Sequence, residues 1–167
     1  MLNVVLRPAG LTINGALFTE APPLEKLLPA LGRPTCREIE LPDQGKPWRK
    51  FVILDDLGIH LLYDFGIERV LGMEFGLEPS NARAAPRTTF AGLIFANGVR
   101  LVSGMKEKLL PVNGEFCFVK RGGWTATNDS LFVHLLLKKQ RLHAVAVSFL
   151  REPRSKQEAG EGRSAPA

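Results

Sequence analysis

Two adjacent carboxylates and a nearby histidine, Asp55, Asp56 and His60, come closest in type and spacing to an active site. Carboxylates beside an imidazole can ligate a metal or act as a general acid and base in a hydrolase or nuclease. In a strand, however, neighbouring side chains point to opposite faces of the sheet. In a turn, Asp-Asp-Leu-Gly is ordinary turn chemistry. We therefore interpret the pair as a structural turn, with a hydrolase or nuclease as the last of three hypotheses.

No other motif strengthens a catalytic hypothesis. The histidines at 60, 134 and 143 lack the spacing of a zinc site, and no nucleophile is identifiable beside them. No phosphate-binding loop motif occurs, and the RGGW segment at 121–124 is interpreted as a turn that carries an exposed aromatic side chain. The sequence therefore predicts a protein that is not an enzyme and that has no metal and no cofactor.

An internal repeat organises the chain. Residues 55–62 read DDLGIHLL and residues 129–136 read DSLFVHLL, and an Asn-Gly pair lies between apolar runs at both 14–15 and 97–98. Asn-Gly between apolar runs predicts a β-hairpin, because both residues tolerate the positive φ of a tight turn. A long repeat that occurs only twice indicates a duplicated unit and not a solenoid.

Each unit is predicted to contain a β-hairpin, a short helix and an antiparallel β-meander, which makes the fold class α+β with two tandem repeats. The helices are predicted over 21–32 and 105–111, where leucines share one face, and the segment 42–47 has the composition of a loop. Strands are predicted at 11–13, 16–18, 37–41, 48–54, 58–65, 68–77, 90–95, 99–102, 115–120, 131–137 and 142–150.

Composition places the boundaries between these units. The first α+β repeat unit is predicted at 1–78 and the second at 88–150. The segment between them, 79–87, lacks apolar periodicity and is rich in Pro, Ser, Asn and Ala, which is typical of a linker. The polar segment 151–167 is predicted to be a disordered tail.

The charge and the apolar pattern limit the partners. The chain of 167 residues has a formal net charge of +5 and a sequence pI of about 9.5, which favours acidic partners. Nucleic acid is not expected, since no stripe of aromatic and basic residues occurs. The two cysteines form no C-x-x-C motif, and neither a signal-type apolar segment nor a membrane span is recognisable. We expect a cytoplasmic protein without a membrane partner.

Three short motifs resemble those of known proteins. ING at 13–15, LGRP at 31–34 and DDLGI at 55–59 resemble the ING…LGxP…DDLGI pattern of bacterial immunity-type proteins found beside polymorphic or secreted toxins. The order of helix, LGxP and strands is similar to the duplicated α+β module of the β-lactamase inhibitor proteins. The resemblance covers mainly 11–77, with a weaker copy at 90–150 that lacks Gly-x-Pro. It implies a protein that binds a toxin and has no catalytic residue.

The leading hypothesis is an immunity protein that neutralises a cognate bacterial toxin by protein–protein interaction. The first alternative is a small-ligand-binding or scaffolding module whose sheet encloses an apolar molecule, and association with a second copy of the chain stays open. Aromatic residues are enriched at binding hot spots, and acidic residues would suit a toxin with a basic substrate pocket. The predicted toxin contacts are Trp48, Asp55, Asp56, Tyr63, Asp64, Glu68 and Trp124.

Overall fold

Strands in two sheets make up most of the computed structural model, which describes residues 1–43, 46–80, 82, 85–121 and 123–150. The predicted α+β class is wrong, because 49% of the residues are in strands and 9% are helical. The strands are β1 (Asn3–Arg7), β2 (Gly10–Ile13), β3 (Ala16–Phe18), β4 (Arg37–Asp43), β5 (Lys46–Leu54), β6 (Ile59–Asp64), β7 (Arg69–Gly76), β8 (Leu93–Ala96), β9 (Val99–Leu101), β10 (Val119–Lys120), β11 (Trp124–Thr127), β12 (Leu131–Lys138) and β13 (Arg141–Phe149). The helical elements are the α-helix α1 (Leu24–Ala30) and two 3-10 helices, Asp55–Leu57 and Glu107–Leu109.

The first sheet has five strands in the order β3-β2-β1-β8-β9. Its two hairpins confirm the Asn-Gly predictions, because Asn14, Gly15, Asn97 and Gly98 all have positive φ, between 48° and 89°. Strand β1 pairs with β8 in parallel, and this pairing joins the two halves of the chain.

The turn asparagines also connect each hairpin to the segment that follows it. The Asn14 side chain accepts the Asn3 N–H at 2.9 Å and donates to the Ala30 carbonyl, at the end of α1, at 3.0 Å. The Asn97 side chain donates to the Pro111 carbonyl at 2.7 Å and accepts the Phe116 N–H at 2.7 Å. Both halves therefore use one asparagine to position the turn against the next element.

The second sheet has eight antiparallel strands in the order β10-β11-β12-β13-β7-β6-β5-β4. Each half of the chain supplies one four-stranded meander, and the meanders meet where β7 pairs with β13 and Glu74 lies opposite Ala146. Both sheets therefore contain strands from both halves, and the unit boundaries at 78 and 88 stay a prediction.

The core lies between the facing sides of the two sheets. Along β1, β8 and β12, buried and more accessible side chains alternate, as expected for strands with one buried face. Fully buried core residues include Leu6, Leu11, Ile13, Leu27, Ile59, Leu61, Phe75, Ile94, Val133, Leu135 and Val145. One continuous cluster of apolar side chains therefore holds the sheets and α1 together.

The predicted helix at 105–111 is wrong. Helical structure there is limited to the 3-10 helix Glu107–Leu109, and Leu110 is extended, with φ −65° and ψ 140°. Pro111 favours the extended conformation of Leu110, but the matching Pro29 lies within α1, so the proline alone does not account for the difference. In the first half, α1 forms as predicted and includes Pro29 close to its end.

Other differences concern the edges of the sheets. Most of the segment predicted as a loop, 42–47, continues β4 and β5, and its residues 44–45 lie outside the described residues. The edge strand β4 can include Pro42, because an edge strand leaves one row of N–H groups unpaired. Strands β1 and β11 were not predicted. The predicted tail, 151–167, also lies outside the described residues.

Candidate functional site

The seven predicted contact residues fall in three places. One end of the β5–β6–β7 ladder holds four of them, namely Trp48, Tyr63, Asp64 and Glu68. The 3-10 helix at the opposite end of β5 holds Asp55 and Asp56. Trp124 lies at the start of β11, in the other meander. The structure therefore brings four of the seven together.

Asp55 is occupied by contacts within the chain. The Arg37 guanidinium donates from Nε to Asp55 Oδ2 at 3.0 Å and from Nη2 to Oδ1 at 3.2 Å. The Arg87 N–H donates to Oδ1 at 2.9 Å, and the Thr88 hydroxyl donates to the Asp55 carbonyl. The hydrogen bond from Arg37 is the main reason that the pKa of Asp55 lies below its ordinary value. Asp55 therefore connects the end of β5 to residues 85–88.

The three residues of the hydrolase hypothesis do not act on a common point. Asp55 is bound by arginines, Asp56 is exposed, and the ionic partner of His60 is Glu74, with Nε2 and Oε2 3.9 Å apart. The His60 ring packs edge-to-face on Phe51 with ring centroids 5.4 Å apart. Burial lowers the pKa of His60, and Glu74 opposes that shift. Among the described residues, no group of three or more His, Cys, Asp and Glu side chains could hold a metal ion.

At the end of the second sheet where β5 begins and β6 ends lies a group that we call the aromatic–cation patch, formed by Trp48, Arg49, Lys50, Tyr63 and Phe65. Arg49 and Lys50 are neighbours in β5, so their side chains lie on opposite faces and the patch includes both faces of the sheet at this end. Trp48 is 42% exposed, and the Arg49 guanidinium lies 3.8 Å from the centre of its indole. The Lys50 ammonium lies 5.1 Å from the Tyr63 ring and 5.3 Å from the Phe65 ring. These distances are within the range of cation–π attraction.

Carboxylates hold the cations of the aromatic–cation patch in place. Arg49 Nε lies 3.1 Å from Asp64 Oδ2, and Lys50 Nζ lies 2.7 Å from Glu38 Oε1. The other Asp64 oxygen accepts the Gly66 N–H at 2.9 Å, which ties the pair to the β6–β7 turn. The patch is therefore ordered before any partner arrives, and its positive charges are largely balanced.

Sequence reasoning missed the cations of this patch. Arg49 and Lys50 were not singled out, although the β5–β6 register places them directly opposite Asp64 and Tyr63. Cross-strand pairs of opposite charge, and of a cation with an aromatic ring, were the signal that could have found them. Trp48, which the sequence left open between the core and an interface, is exposed.

Trp124 has a different environment from the predicted exposed turn. It begins β11, is half-buried, and donates from Nε1 to Glu107 Oε1 at 3.0 Å. Its side chain lines a surface cavity of about 550 Å³ together with Lys106, Lys139 and Arg141. Trp124 is therefore part of a cavity wall and not a projecting side chain.

Comparisons with protein-family models, with curated proteins and with solved structures give no match for this chain. Within the described part of the chain, no helix has the length and apolar character needed to span a membrane.

Proposed function

We propose that this protein is an immunity protein that binds and neutralises a cognate secreted bacterial toxin without catalysis. The motifs at 13–15, 31–34 and 55–59, which resemble those of immunity-type proteins, support the class of partner. The aromatic–cation patch supports the mode of action, because Trp, Tyr and Arg are the residue types most enriched at protein-binding hot spots. We assign the toxin contact to this patch.

The observation that carries the assignment is the ordered, exposed indole of Trp48. The Trp48 side chain is large and apolar, and 42% of it stays in contact with water until a partner covers it. The Arg49 guanidinium, stacked on the indole, fixes the position of the ring. An anchor that is already ordered binds with a smaller entropic cost than a mobile one. A toxin surface with an apolar pocket for Trp48 would bury the ring and retain the paired charges around it.

Four of the seven predicted contacts stay in this proposal: Trp48, Tyr63, Asp64 and Glu68. Asp55 leaves it, because its carboxylate is held by Arg37 and Arg87. Asp64 would act on the partner only through Arg49, which it positions. A stable complex needs about 800 Å² from each partner, so the patch would be the centre of a larger contact.

Co-expression with the neighbouring reading frame in a heterologous bacterium tests the function. We expect the neighbour to stop growth when expressed alone, and this protein to restore growth and to co-purify with it. A neighbour that is harmless, or that kills in the presence of this protein, would reject the immunity proposal. A small molecule found by mass spectrometry in the purified protein would favour the ligand-binding alternative instead.

A matched pair of variants tests the assigned surface. Trp48→Ala removes the anchor, and Leu17→Ala removes a similarly exposed apolar side chain on β3 of the other sheet. We expect Trp48→Ala to weaken toxin binding by about 30-fold or more, as at a hot spot, and Leu17→Ala to leave it unchanged. Equal affinities for the two variants would place the interface elsewhere and leave the immunity function to be judged by the growth assay.

A further inference from the structure

The opposite corner of the second sheet contains a surface cavity of about 550 Å³ that the proposed function does not use. We call it the basic cavity. Its lining residues are Lys106, Glu107, Lys108, Leu110, Val112, Trp124, Lys139, Gln140 and Arg141. A volume of this size is ordinary for a site that binds a small molecule.

Hydrogen bonds fix the two walls of the basic cavity against each other. One wall is the segment around the 3-10 helix Glu107–Leu109, and the other is the β12–β13 turn. The Glu107 N–H donates to the Gln140 carbonyl at 2.9 Å, and Arg141 Nη1 donates to the Gly104 carbonyl at 3.1 Å. Main-chain bridging between Lys106 and Arg141 adds a further link. The cavity therefore has a defined shape.

The charge of the basic cavity is unbalanced. Four cations line it, Lys106, Lys108, Lys139 and Arg141, and none of them forms an ion pair with a carboxylate in the described part of the chain. The one carboxylate in the lining belongs to Glu107. Like charges gathered in a concave surface create a positive potential that attracts anions.

Glu107 does not cancel this potential, because other groups already bind it. Lys120 Nζ lies 2.6 Å from Glu107 Oε1, and the Trp124 indole N–H donates to the same oxygen at 3.0 Å. The hydrogen bond from Lys120 is the main reason that the pKa of Glu107 is lowered. Glu107 therefore acts as an internal support that positions Trp124 and Lys120 at the cavity.

The first meander shows that the fold does not require this cluster. Aligning the KLLP segments at 26–29 and 108–111 places Leu24 where the second half has Lys106. The β6–β7 turn, which corresponds to the β12–β13 turn, contributes Phe65 and Ile67 where the second half has Lys139 and Arg141. The first half thus has apolar residues at three of the four matching cation positions, and it retains a lysine, Lys26, where the second half has Lys108.

The excess charge is confined to the second half of the chain. Residues 88–150 contain eight Lys and Arg against three Asp and Glu, whereas residues 1–78 contain eight against eleven. Lysine ammonium groups bind phosphate as point charges, and the cavity gathers three of them with one guanidinium. Leu110, Val112 and Trp124 supply an apolar floor beside the charges.

We propose that the basic cavity binds a compound with two or more linked phosphate groups, such as an inorganic or a nucleoside polyphosphate. The linked phosphates would lie among the four cations, and Trp124 would report their arrival. This inference is independent of the toxin-binding proposal, since it concerns other residues and a different ligand.

Tryptophan fluorescence gives a direct test. Trp48→Phe leaves Trp124 as the sole tryptophan, so any change in emission arises beside the cavity. We expect inorganic tripolyphosphate to produce a saturable change at or below about 1 mM in about 0.15 M salt, with weaker binding as salt rises. Absence of a saturable change, checked by titration calorimetry on the unmodified chain, would overturn the proposal.

Charge variants locate the binding. Lys108→Gln with Lys139→Asn removes two cavity cations, and asparagine suits the positive φ of 50° at position 139. The matched control, Arg7→Gln with Lys26→Gln, removes two exposed cations elsewhere. We expect the cavity variant to lose at least about tenfold in affinity and the control to bind as the unmodified chain does. An equal loss in both variants would mean non-specific attraction and reject the site.

Comparison of two ligands distinguishes a nucleotide from inorganic polyphosphate as the compound bound. Tighter binding of adenosine triphosphate than of tripolyphosphate would assign the cavity to a nucleotide, and the reverse order would assign it to inorganic polyphosphate. Both results retain the linked phosphates as the recognised group. Citrate carries a similar negative charge on carboxylates, and binding as tight as that of tripolyphosphate would overturn the assignment to phosphate.

Discussion

Gly58, the glycine of the DDLGI segment, offers the sharpest test of the packing. It has a φ of 67°, and a Cβ atom there would lie closer than 3.0 Å to main-chain atoms of Thr89 and Phe90. Gly98 has a similar φ of 73°, but a Cβ atom there would meet nothing within 4 Å. Gly58→Ala and Gly98→Ala therefore share the backbone strain and differ in the steric clash.

The structure sets the expected magnitudes. A left-handed conformation costs an alanine about 1–2 kcal/mol, so Gly98→Ala should lose about that much stability. Gly58→Ala must also displace Phe90, which is only 8% exposed and packs edge-to-face on Phe75 with centroids 5.1 Å apart. Burial of a phenylalanine contributes about 1.5–3 kcal/mol. We therefore expect Gly58→Ala to lose about 3–5 kcal/mol, a large part of a stability of about 5–15 kcal/mol.

Urea unfolding followed by circular dichroism measures the difference. With a slope of about 2 kcal/mol per molar urea, the midpoint should fall by about 2 M for Gly58→Ala and by less than 1 M for Gly98→Ala. The soluble yield of the two variants gives a second measure in the same order. Midpoints within about 0.3 M of each other would refute the close approach of residues 89–90 to Gly58.

Three further tests follow from single side chains. Because the folded-state pKa of Asp55 is lowered, its ion pairs stabilise the protein above the unfolded pKa of about 4 and are lost as the pH falls through the folded pKa. In a plot of unfolding free energy against pH, Asp55→Asn should therefore reduce the loss of stability at acid pH, and Asp56→Asn should not. Because burial lowers the pKa of His60, stability should decline as the pH falls below about 6.5, and an unchanged decline in His60→Leu would exclude this histidine as the cause. Asn97→Ala breaks hydrogen bonds to two residues in a partly buried turn and should cost about 2 kcal/mol, against about 1 kcal/mol for the exposed Asn14→Ala, and the opposite order in urea would contradict the contacts.

Local chemistry made part of the fold predictable. Asn-Gly pairs require a specific turn, so both hairpins of the first sheet could be placed from the sequence. Alternation of apolar residues likewise placed β6, β7, β12 and β13. The helix at 105–111 was predicted wrongly, because its leucine spacing and KLLP segment match those of α1, yet only the first of the two segments forms an α-helix.

Long-range pairing was not predictable from these signals. No local pattern indicates that β7 pairs with β13 or β1 with β8. The backbone N–H and C=O groups of each strand could form equally good hydrogen bonds with another edge strand. The same limit applies to the candidate site. Asp55 was proposed as a toxin contact because it is acidic. Its contact with Arg37 was not foreseen, since Arg37 lies 18 residues away in sequence.

The duplication separates what the fold needs from what each half adds. His60 and His134 occupy matching places in β6 and β12. Each ring has a close neighbour, which is Phe51 on β5 in one half and Gly123, just before β11, in the other. A Cβ at Gly123 would collide with the His134 ring, so a glycine at 123 leaves the room that this ring occupies. That pattern is expected of a structural histidine in the outer face of the sheet.

The corners beside the β6–β7 and β12–β13 turns follow the opposite pattern. One corner has Trp48 stacked with Arg49 and its charges paired, while the cations around Trp124 at the other form no ion pair with any residue that the structure describes. The β6–β7 and β12–β13 hairpins both form although the side chains around their turns differ, so neither set of side chains is required for the hairpin. The fold does not require particular residues at these positions, yet in each half they form an ordered surface. Such residues are available to contact a partner. This difference supports the two proposals made above, in which one corner binds a protein surface and the other binds a small anion.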